Sequence, residues 1–155
     1  MNTTCQTEED IAVILTLAEG RAAAKALPYA GEVTPLEAYQ LQQAGAKVID
    51  VRYPFEHEYV GRVVGSHLVS WKLYPEGSNN PKFVEQLRNV ANPDDVMLLL
   101  CRSGVRSHAA GITAAEAGFT KAYNIIGGFE GDLDASGKRG QISGWRHAGL
   151  DWEQS

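Results

Sequence analysis

The chain begins with apolar positions at helical spacing, set among polar ones. Apolar residues recur at this spacing from Ile11 to Ala22, and Thr7 precedes them with Asp10 three residues further on. The arrangement predicts a capped amphipathic helix that ends at Leu27-Pro28. We expect this helix to dock on the domain by its apolar face, with partner binding as the alternative.

A capping box opens the second predicted helix. Thr34 is followed by Pro35 and by Glu37, and Gly45 is placed to end the helix. Apolar spacing predicts two more helices, one that begins at Asn80-Pro81 and one over residues 105–117.

Short, continuous apolar runs predict buried strands rather than amphipathic helices. They lie at residues 48–51, 66–69, 96–100 and 122–126. Because strands alternate with helices, we expect an α/β layer architecture with a mainly parallel sheet and right-handed crossovers. The Gly-rich segment that follows residue 126 reads as a structured loop, in which Trp145 and Trp152 are expected to be packing anchors.

Size and charge restrict the function classes. The 155 residues suit one domain, because domains commonly hold about 100 to 200 residues. The net charge of -5 and the lack of any Lys/Arg run argue against a nucleic-acid binder, which neutralises phosphates with clustered cations. No uncharged apolar stretch approaches the roughly 20 residues that span a bilayer, so no membrane partner is expected.

The N terminus and the cysteines indicate the compartment. Residues 1–10 are polar and acidic, without the basic and apolar regions of a secretory signal. This predicts a cytoplasmic, reducing setting, in which a cysteine stays free between turnovers. Cys5 and Cys101 lie too far apart in sequence to suggest a disulfide framework. No metal site is expected from the scattered histidines His57, His67, His108 and His147.

Cys101 follows the apolar run 96–100, at a predicted strand-to-helix turn. Such turns lie at the carboxyl edge of a parallel sheet, where ligands bind, and the next helix directs its free N–H groups toward them. Arg102 and Arg106 add positive charge. Together these features should stabilise a thiolate, a persulfide or a bound oxyanion more than a neutral thiol.

The alternative for Cys101 is a structural cysteine at the end of a core strand, a common position for a free cysteine. Such a site gives no reason for Arg102 and Arg106, because guanidinium groups in a tight turn are costly unless they meet an anion or a carboxylate. The composition of the loop therefore favours a nucleophile.

The segment Cys101-Arg102-Ser103-Gly104-Val105-Arg106-Ser107 resembles the active-site loop of the rhodanese family of sulfurtransferases. Segments 48–59, 61–65 and 124–131 agree with the family in order and spacing. The resemblance extends over residues 32–152 and is strongest to bacterial single-domain rhodaneses. It implies a three-layer rhodanese-like α/β fold, with a mainly parallel central sheet and helices on both faces.

The resemblance also implies how the chain is divided. Residues 31–155 are expected to form the rhodanese domain, and residues 1–30 an N-terminal helical extension. One segment departs from the family, because residues 61–66 read Gly-Arg-Val-Val-Gly-Ser where rhodaneses commonly carry Gly-His-Ile-Pro-Gly-Ala. A local difference in this turn is expected.

What the family implies for function is a persulfide mechanism. The Cys101 thiolate attacks the outer sulfur of a donor such as thiosulfate, and the resulting persulfide passes its sulfur to cyanide or a thiol, with a protein acceptor as a further option. No cofactor is implied. The roles carried over by position are catalysis for Cys101, substrate binding for Arg102, Ser103, Gly104, Val105 and Arg106, and loop support for Asp50, Arg52 and Ser107.

Two of these roles are more specific. Arg102 is expected to hold the oxyanion of the donor, and Arg106 to tie the loop down, with Asp50 as its expected partner. The alternative for Asp50 is a simple strand-end ion pair with Arg52.

Two other functions remain open. One is a sulfur carrier or regulatory binding module that holds sulfur on Cys101 without turnover. The other is a small phosphatase or arsenate reductase, which the spacing disfavours. Four residues separate Cys101 from Arg106, whereas phosphatases of similar architecture place one residue more in a wider, phosphate-sized ring.

Overall fold

A computed structural model describes residues 7–155, so Cys5 lies outside the described residues. Its centre is a five-stranded sheet whose neighbouring strands all pair in parallel. The strands, in chain order, are β1 (Gly31–Val33), β2 (Lys47–Asp50), β4 (His67–Leu68), β5 (Met97–Leu100) and β6 (Ala122–Ile125). Their order across the sheet is β1-β6-β5-β2-β4, which places β5 at its centre.

Four α-helices cover this sheet: α1 (Glu8–Lys25), α2 (Pro35–Gln43), α3 (Phe83–Val90) and α4 (Val105–Glu116). A single π-helical turn spans Glu56–Val60. Two further short strands, β3 (Arg62–Val63) and β7 (Trp152–Glu153), pair antiparallel beside the main sheet.

Alternating side chains of β5 separate two apolar cores. Met97 and Leu99 pack with residues of α3 and α4, whereas Leu98 and Leu100 pack with residues of α1 and α2. All four are fully buried. A strand covered on both faces must be apolar at every position, which explains the continuous run in the sequence. The predicted three-layer architecture with a mainly parallel sheet is confirmed.

The first helix docks on the domain, as predicted, and lies against β1 at the edge of the sheet. The Thr7 side chain accepts a hydrogen bond from the Asp10 N–H, which forms the expected capping box. Ala18 is fully buried and lies so close to Gly31 of β1 that a Cβ there would be 2.6 Å from the Ala18 carbonyl oxygen. Glycine therefore allows the helix to approach the strand. Val13 and Leu17 stay about half exposed on the opposite face.

Three short strands were not predicted. β3 and β7 hold two residues each, too few to show an alternating pattern, and β1 holds only three. β4 is equally short but lies within the predicted apolar run 66–69. The helix expected from Asn80-Pro81 begins at Phe83.

Both tryptophans pack against aromatic rings, as expected. Trp145 is fully buried and lies edge-on to Tyr39 of α2, with ring centroids 6.2 Å apart. Trp152 is partly exposed and packs edge-on against Phe129, with ring centroids 5.8 Å apart. Within residues 7–155, no helix combines the length and the apolar character needed to span a bilayer.

Candidate active site

Cys101 leaves the end of β5 and lies at the start of the loop that enters α4. Gly104 caps the helix with φ of 114°, a conformation that residues with a Cβ rarely adopt. The turn is thereby tight enough to bring the first N–H groups of α4 back toward the cysteine. The thiol itself is almost completely buried, with 1% of its residue surface exposed.

Two donors point at the sulfur. The Gly104 N–H donates to Sγ at 3.0 Å, and the Ser107 hydroxyl lies within donating distance at 3.3 Å. Both sit in the first turn of α4, whose N-terminal dipole adds positive potential. Both groups are donors, so they can hydrogen-bond to a negatively charged sulfur. The local arrangement thus suits an anionic sulfur.

The Gly127-Gly128 turn holds the loop from behind. The Phe129 N–H donates to the Cys101 carbonyl at 2.8 Å, and the Glu130 N–H donates to the Arg102 carbonyl at 3.0 Å. A Cβ on Gly128 would lie 2.7 Å from the Arg102 carbonyl oxygen. The second glycine therefore permits the close backbone contact that fixes the position of Cys101.

A buried hydrogen-bonded group supports the loop from β6. Ser107 Oγ donates to Asn124 Oδ1 at 2.6 Å, and Asn124 Nδ2 donates to the Gly104 carbonyl at 3.2 Å and to the Tyr29 hydroxyl at 3.5 Å. The Tyr29 hydroxyl lies 2.8 Å from His108 Nδ1. Burial raises the pKa of Tyr29, so its phenol stays protonated.

Asn124 and Tyr29 were not singled out from the sequence. The available signal for Asn124 is a polar residue inside a strand that is otherwise fully buried. His108 packs against the Tyr29 ring edge-on, and among the described residues it is not part of the pocket wall.

Arg106 forms its ion pair with Glu56 and not with Asp50, which corrects the pairing predicted from the sequence. Its two terminal nitrogens donate to Glu56 Oε1 at 2.7 Å and Oε2 at 2.9 Å. Burial alone would raise the pKa of Glu56, but the hydrogen bonds and charge of Arg106 outweigh it and hold that pKa below its usual range. Arg106 does tie the loop down, through the π-helical turn.

Asp50 is unavailable to Arg106 because two other groups already occupy its carboxylate. Arg52 donates to both of its oxygens, at 2.9 and 2.7 Å, and His57 Nδ1 lies 2.9 Å from Oδ2. Burial would raise the pKa of Asp50, yet His57 and Arg52 together lower it. Arg52 also donates to the Gly61 carbonyl at 2.6 Å. The Asp50–Arg52 pair therefore fixes the end of β2 and the turn at Gly61 rather than the cysteine loop itself.

A pocket of about 690 Å³ opens over Cys101. Five of the predicted site residues line it, namely Cys101, Arg102, Ser103, Val105 and Arg106. Gly104 and Ser107 contact the sulfur instead, and Asp50 and Arg52 lie outside the pocket wall. The remaining lining residues are not among the predicted site residues and come from segments distant in sequence, namely Tyr53, Phe55, Glu56, Val60, Lys72, Glu130 and Arg139.

The pocket carries an excess of positive charge. Arg106 is neutralised by Glu56, whereas Lys72, Arg102 and Arg139 have no carboxylate partner within residues 7–155. Glu130, the other acid in the wall, lies 3.9 Å from Arg146. Arg139 donates one N–H to the Gly131 carbonyl at 2.7 Å. A small anion entering the pocket therefore meets cations that no carboxylate neutralises. Tyr53 and Phe55, stacked at 5.5 Å, form an aromatic wall.

Comparison with known proteins decides the family. The Rhodanese-like domain family matches residues 34–135. The chain belongs to this family. The matched range contains the cysteine loop, Asn124 and the Gly127-Gly128 turn of this rhodanese-like domain. The cysteine loop and the Gly127-Gly128 turn behind it are thus parts of the family domain.

Named relatives agree with this assignment. The chain is 28% identical over 100 residues to "Thiosulfate sulfurtransferase GlpE" from Haemophilus influenzae, covering 64% of this chain and 85% of the relative. It is 32% identical over 117 residues to "Rhodanese-like domain-containing protein 15, chloroplastic" from Arabidopsis thaliana. That match covers 74% of this chain but only 63% of the plant protein.

A solved structure is more similar still in sequence. Rv0390 from M. tuberculosis is 40% identical, with a TM-score of 0.73 over 82% of this chain and 99% of that chain. The rhodanese-like domain described above therefore has a solved relative of similar extent.

Proposed function

We propose that this rhodanese-like domain is a sulfurtransferase that carries sulfane sulfur on Cys101. The observation that carries the proposal is the position of Sγ, which lies under the Gly104 N–H and the Ser107 hydroxyl at the floor of a cationic pocket. This arrangement stabilises an anionic sulfur and attracts an anionic donor. The relative named thiosulfate sulfurtransferase supports thiosulfate as one such donor.

The proposed reaction has two sulfur-transfer steps. The Cys101 thiolate attacks the outer sulfur of thiosulfate, the S–S bond of the donor breaks, and sulfite leaves with the electron pair. A persulfide then remains on Cys101, with its negative charge on the outer sulfur. An acceptor, either cyanide or a thiolate, attacks that outer sulfur and regenerates the Cys101 thiolate. No cofactor takes part.

Each loop residue has a proposed role in these steps. Arg102, exposed and without an ion-pair partner among the described residues, holds the oxyanion of the donor. The backbone N–H groups from Arg102 to Arg106 surround the persulfide, as a row of amides at a helix start does for anions. Arg106 positions the loop through Glu56.

The Arg106–Glu56 pair also favours sulfur over phosphate. In a phosphatase loop of this kind, the arginine would need its paired N–H groups for the phosphate oxygens. Here both terminal nitrogens of Arg106 donate to the same carboxylate. Hydrolysis of phosphate esters is therefore the weaker proposal for this loop.

The setting and the division of the chain form part of the same proposal. A cytoplasmic, reducing compartment would keep the Cys101 thiol available between turnovers. Residues 31–155 form the proposed rhodanese domain and residues 1–30 its extension, from which Tyr29 reaches Asn124.

An acceptor protein would contact the rim of the pocket through the exposed side chains of Val105 and Phe55.

Turnover assays test the proposal against a carrier without turnover. Wild-type protein is expected to form thiocyanate from thiosulfate and cyanide, and the Cys101→Ser variant is expected to form none. A Cys5→Ser variant serves as the matched control and should keep full activity. If wild-type protein accepts sulfur but forms no thiocyanate and passes no sulfur to a thiol, the protein is a sulfur carrier and not a sulfurtransferase enzyme.

A further inference from the structure

The Ser107 hydroxyl lies between two acceptors that compete for its one hydrogen. Cys101 Sγ lies 3.3 Å from Oγ, and Asn124 Oδ1 lies 2.6 Å from it. A serine carries a single O–H donor together with two acceptor lone pairs. Ser107 therefore donates to the sulfur or to the amide, but not fully to both.

The orientation of the Asn124 amide is fixed by its other contacts. Its Nδ2 donates to the Gly104 carbonyl at 3.2 Å and to the Tyr29 hydroxyl at 3.5 Å. A turned amide would place Oδ1 against that carbonyl, where two acceptors would meet. Since Asn124 is 5% exposed, no bulk water replaces these partners. Asn124 thus presents its oxygen to Ser107.

The charge on Sγ changes during the proposed reaction. As a neutral thiol, Cys101 can donate its own hydrogen to Ser107 Oγ while Ser107 donates to Asn124. As a thiolate, Sγ needs the Ser107 hydrogen for itself. In the persulfide the charge lies on the outer sulfur, so the hydrogen returns to Asn124. The preferred direction of the Ser107 hydroxyl therefore differs between these states.

We propose that Asn124 is a positioning residue that sets the direction of the Ser107 hydroxyl. By accepting the Ser107 hydrogen, it weakens the hydrogen bond that Ser107 donates to the Cys101 thiolate. Asn124 draws the hydrogen away from Sγ whenever the sulfur does not carry the charge. This inference rests on the proposed persulfide chemistry for its purpose. The competition between Cys101 and Asn124 for the Ser107 hydrogen can be measured on the protein without any sulfur donor.

The test is the pH dependence of Cys101 alkylation by iodoacetamide, with Cys5→Ser in every variant so that one thiol reacts. Ser107→Ala removes a donor to the thiolate and should raise the inflection pH by about one unit. Asn124→Leu is similar in size and frees the hydroxyl, so it should lower the inflection by about half a unit. Ser107→Thr keeps the hydroxyl and should leave the inflection close to that of Ser107.

The double variant separates positioning from a structural role. With Ser107→Ala already present, Asn124→Leu should cause no further downward shift, because there is no hydroxyl to redirect. If Asn124 only supports the loop through Gly104, its loss weakens the Gly104 N–H contact and the inflection rises instead. An upward shift in Asn124→Leu, or an equal downward shift in both backgrounds, overturns the proposal.

Two further measurements keep the outcome decisive. Thermal unfolding shows whether Asn124→Leu is folded, and Asn124→Ala takes its place, with the same expected direction, if it is not. Mass measurement of the wild-type protein after thiosulfate treatment tests persulfide formation independently. Failure of the alkylation pattern with an intact persulfide rejects the role of Asn124 alone.

Discussion

Arg106 and Glu56 form a bidentate ion pair across the candidate active site, with nitrogen–oxygen distances of 2.7 and 2.9 Å. The two side chains are 17% and 9% exposed, so water screens the pair only weakly. It joins the first turn of α4 to the π-helical turn that follows β2. This contact fixes the cysteine loop from the pocket side, as Gly128 does from behind.

Removal of the carboxylate should therefore weaken the protein. Glu56→Gln leaves a mostly buried guanidinium without its counter-charge, and we expect a loss of about 2 kcal/mol in the free energy of unfolding. Thiosulfate turnover should fall as well, because the loop loses an anchor. Urea denaturation measures the loss. Glu58→Gln, an exposed acid in the same turn, is the matched control and should change stability by less than about 0.5 kcal/mol.

The same carboxylates predict how stability depends on pH. The pKa values of Glu56 and Asp50 lie below their ordinary values in the folded protein, so on acidification the unfolded chain takes up protons first. Their contribution is fully present above about pH 5 and is lost as pH falls through the folded values. Denaturation at a series of pH values should show this decline. Glu56→Gln should show a shallower one, and an unchanged slope would remove Glu56 from the account.

Arg102 offers a test of donor binding. Arg102→Ala removes an exposed cation without an ion-pair partner in residues 7–155, so the melting temperature should stay near that of the wild type. The KM for thiosulfate should rise about ten-fold, the loss expected for one hydrogen bond to a charged group. Arg88→Ala removes an exposed arginine that lies outside the pocket wall and should leave KM unchanged. Equal effects of the two variants would indicate only a general charge effect.

A substitution at Gly128 tests whether the close contact between the Gly127-Gly128 turn and the cysteine loop is needed. Gly128→Ala places a Cβ 2.7 Å from the Arg102 carbonyl oxygen and also requires φ of 61°, so we expect a loss of about 3 kcal/mol or more and little activity. Gly137→Ala has a similar backbone strain, with φ of 78°, but no atom within 4 Å of the new Cβ. That control should cost about 1 kcal/mol and keep its activity. Similar losses in both would mean that the close contact is unimportant.

The cysteine loop could be predicted because its information is local. Cys101, Gly104 and Arg106 lie within one strand-to-helix turn, and the physics of that turn depends on neighbours in sequence. The apolar run of β5 likewise predicts a buried strand, since a strand covered on both faces is apolar throughout.

The partners of the loop could not be predicted in the same way. Glu56 lies 50 residues from Arg106, and nothing in the spacing distinguishes it from Asp50 as a carboxylate partner. The other partners of Asp50 decide between them, because Arg52 and His57 already occupy its carboxylate. The pocket wall at Tyr53 and Lys72 likewise depends on how distant segments fold back. These contacts are set by the tertiary packing.

The central claim, a persulfide on Cys101, is tested most directly by intact-mass spectrometry after treatment with thiosulfate. We expect the wild-type protein to gain the mass of one sulfur atom, cyanide to remove this gain, and Cys101→Ser to show none. A wild-type protein that gains no sulfur, or a Cys101→Ser variant that gains as much as the wild type, would contradict it.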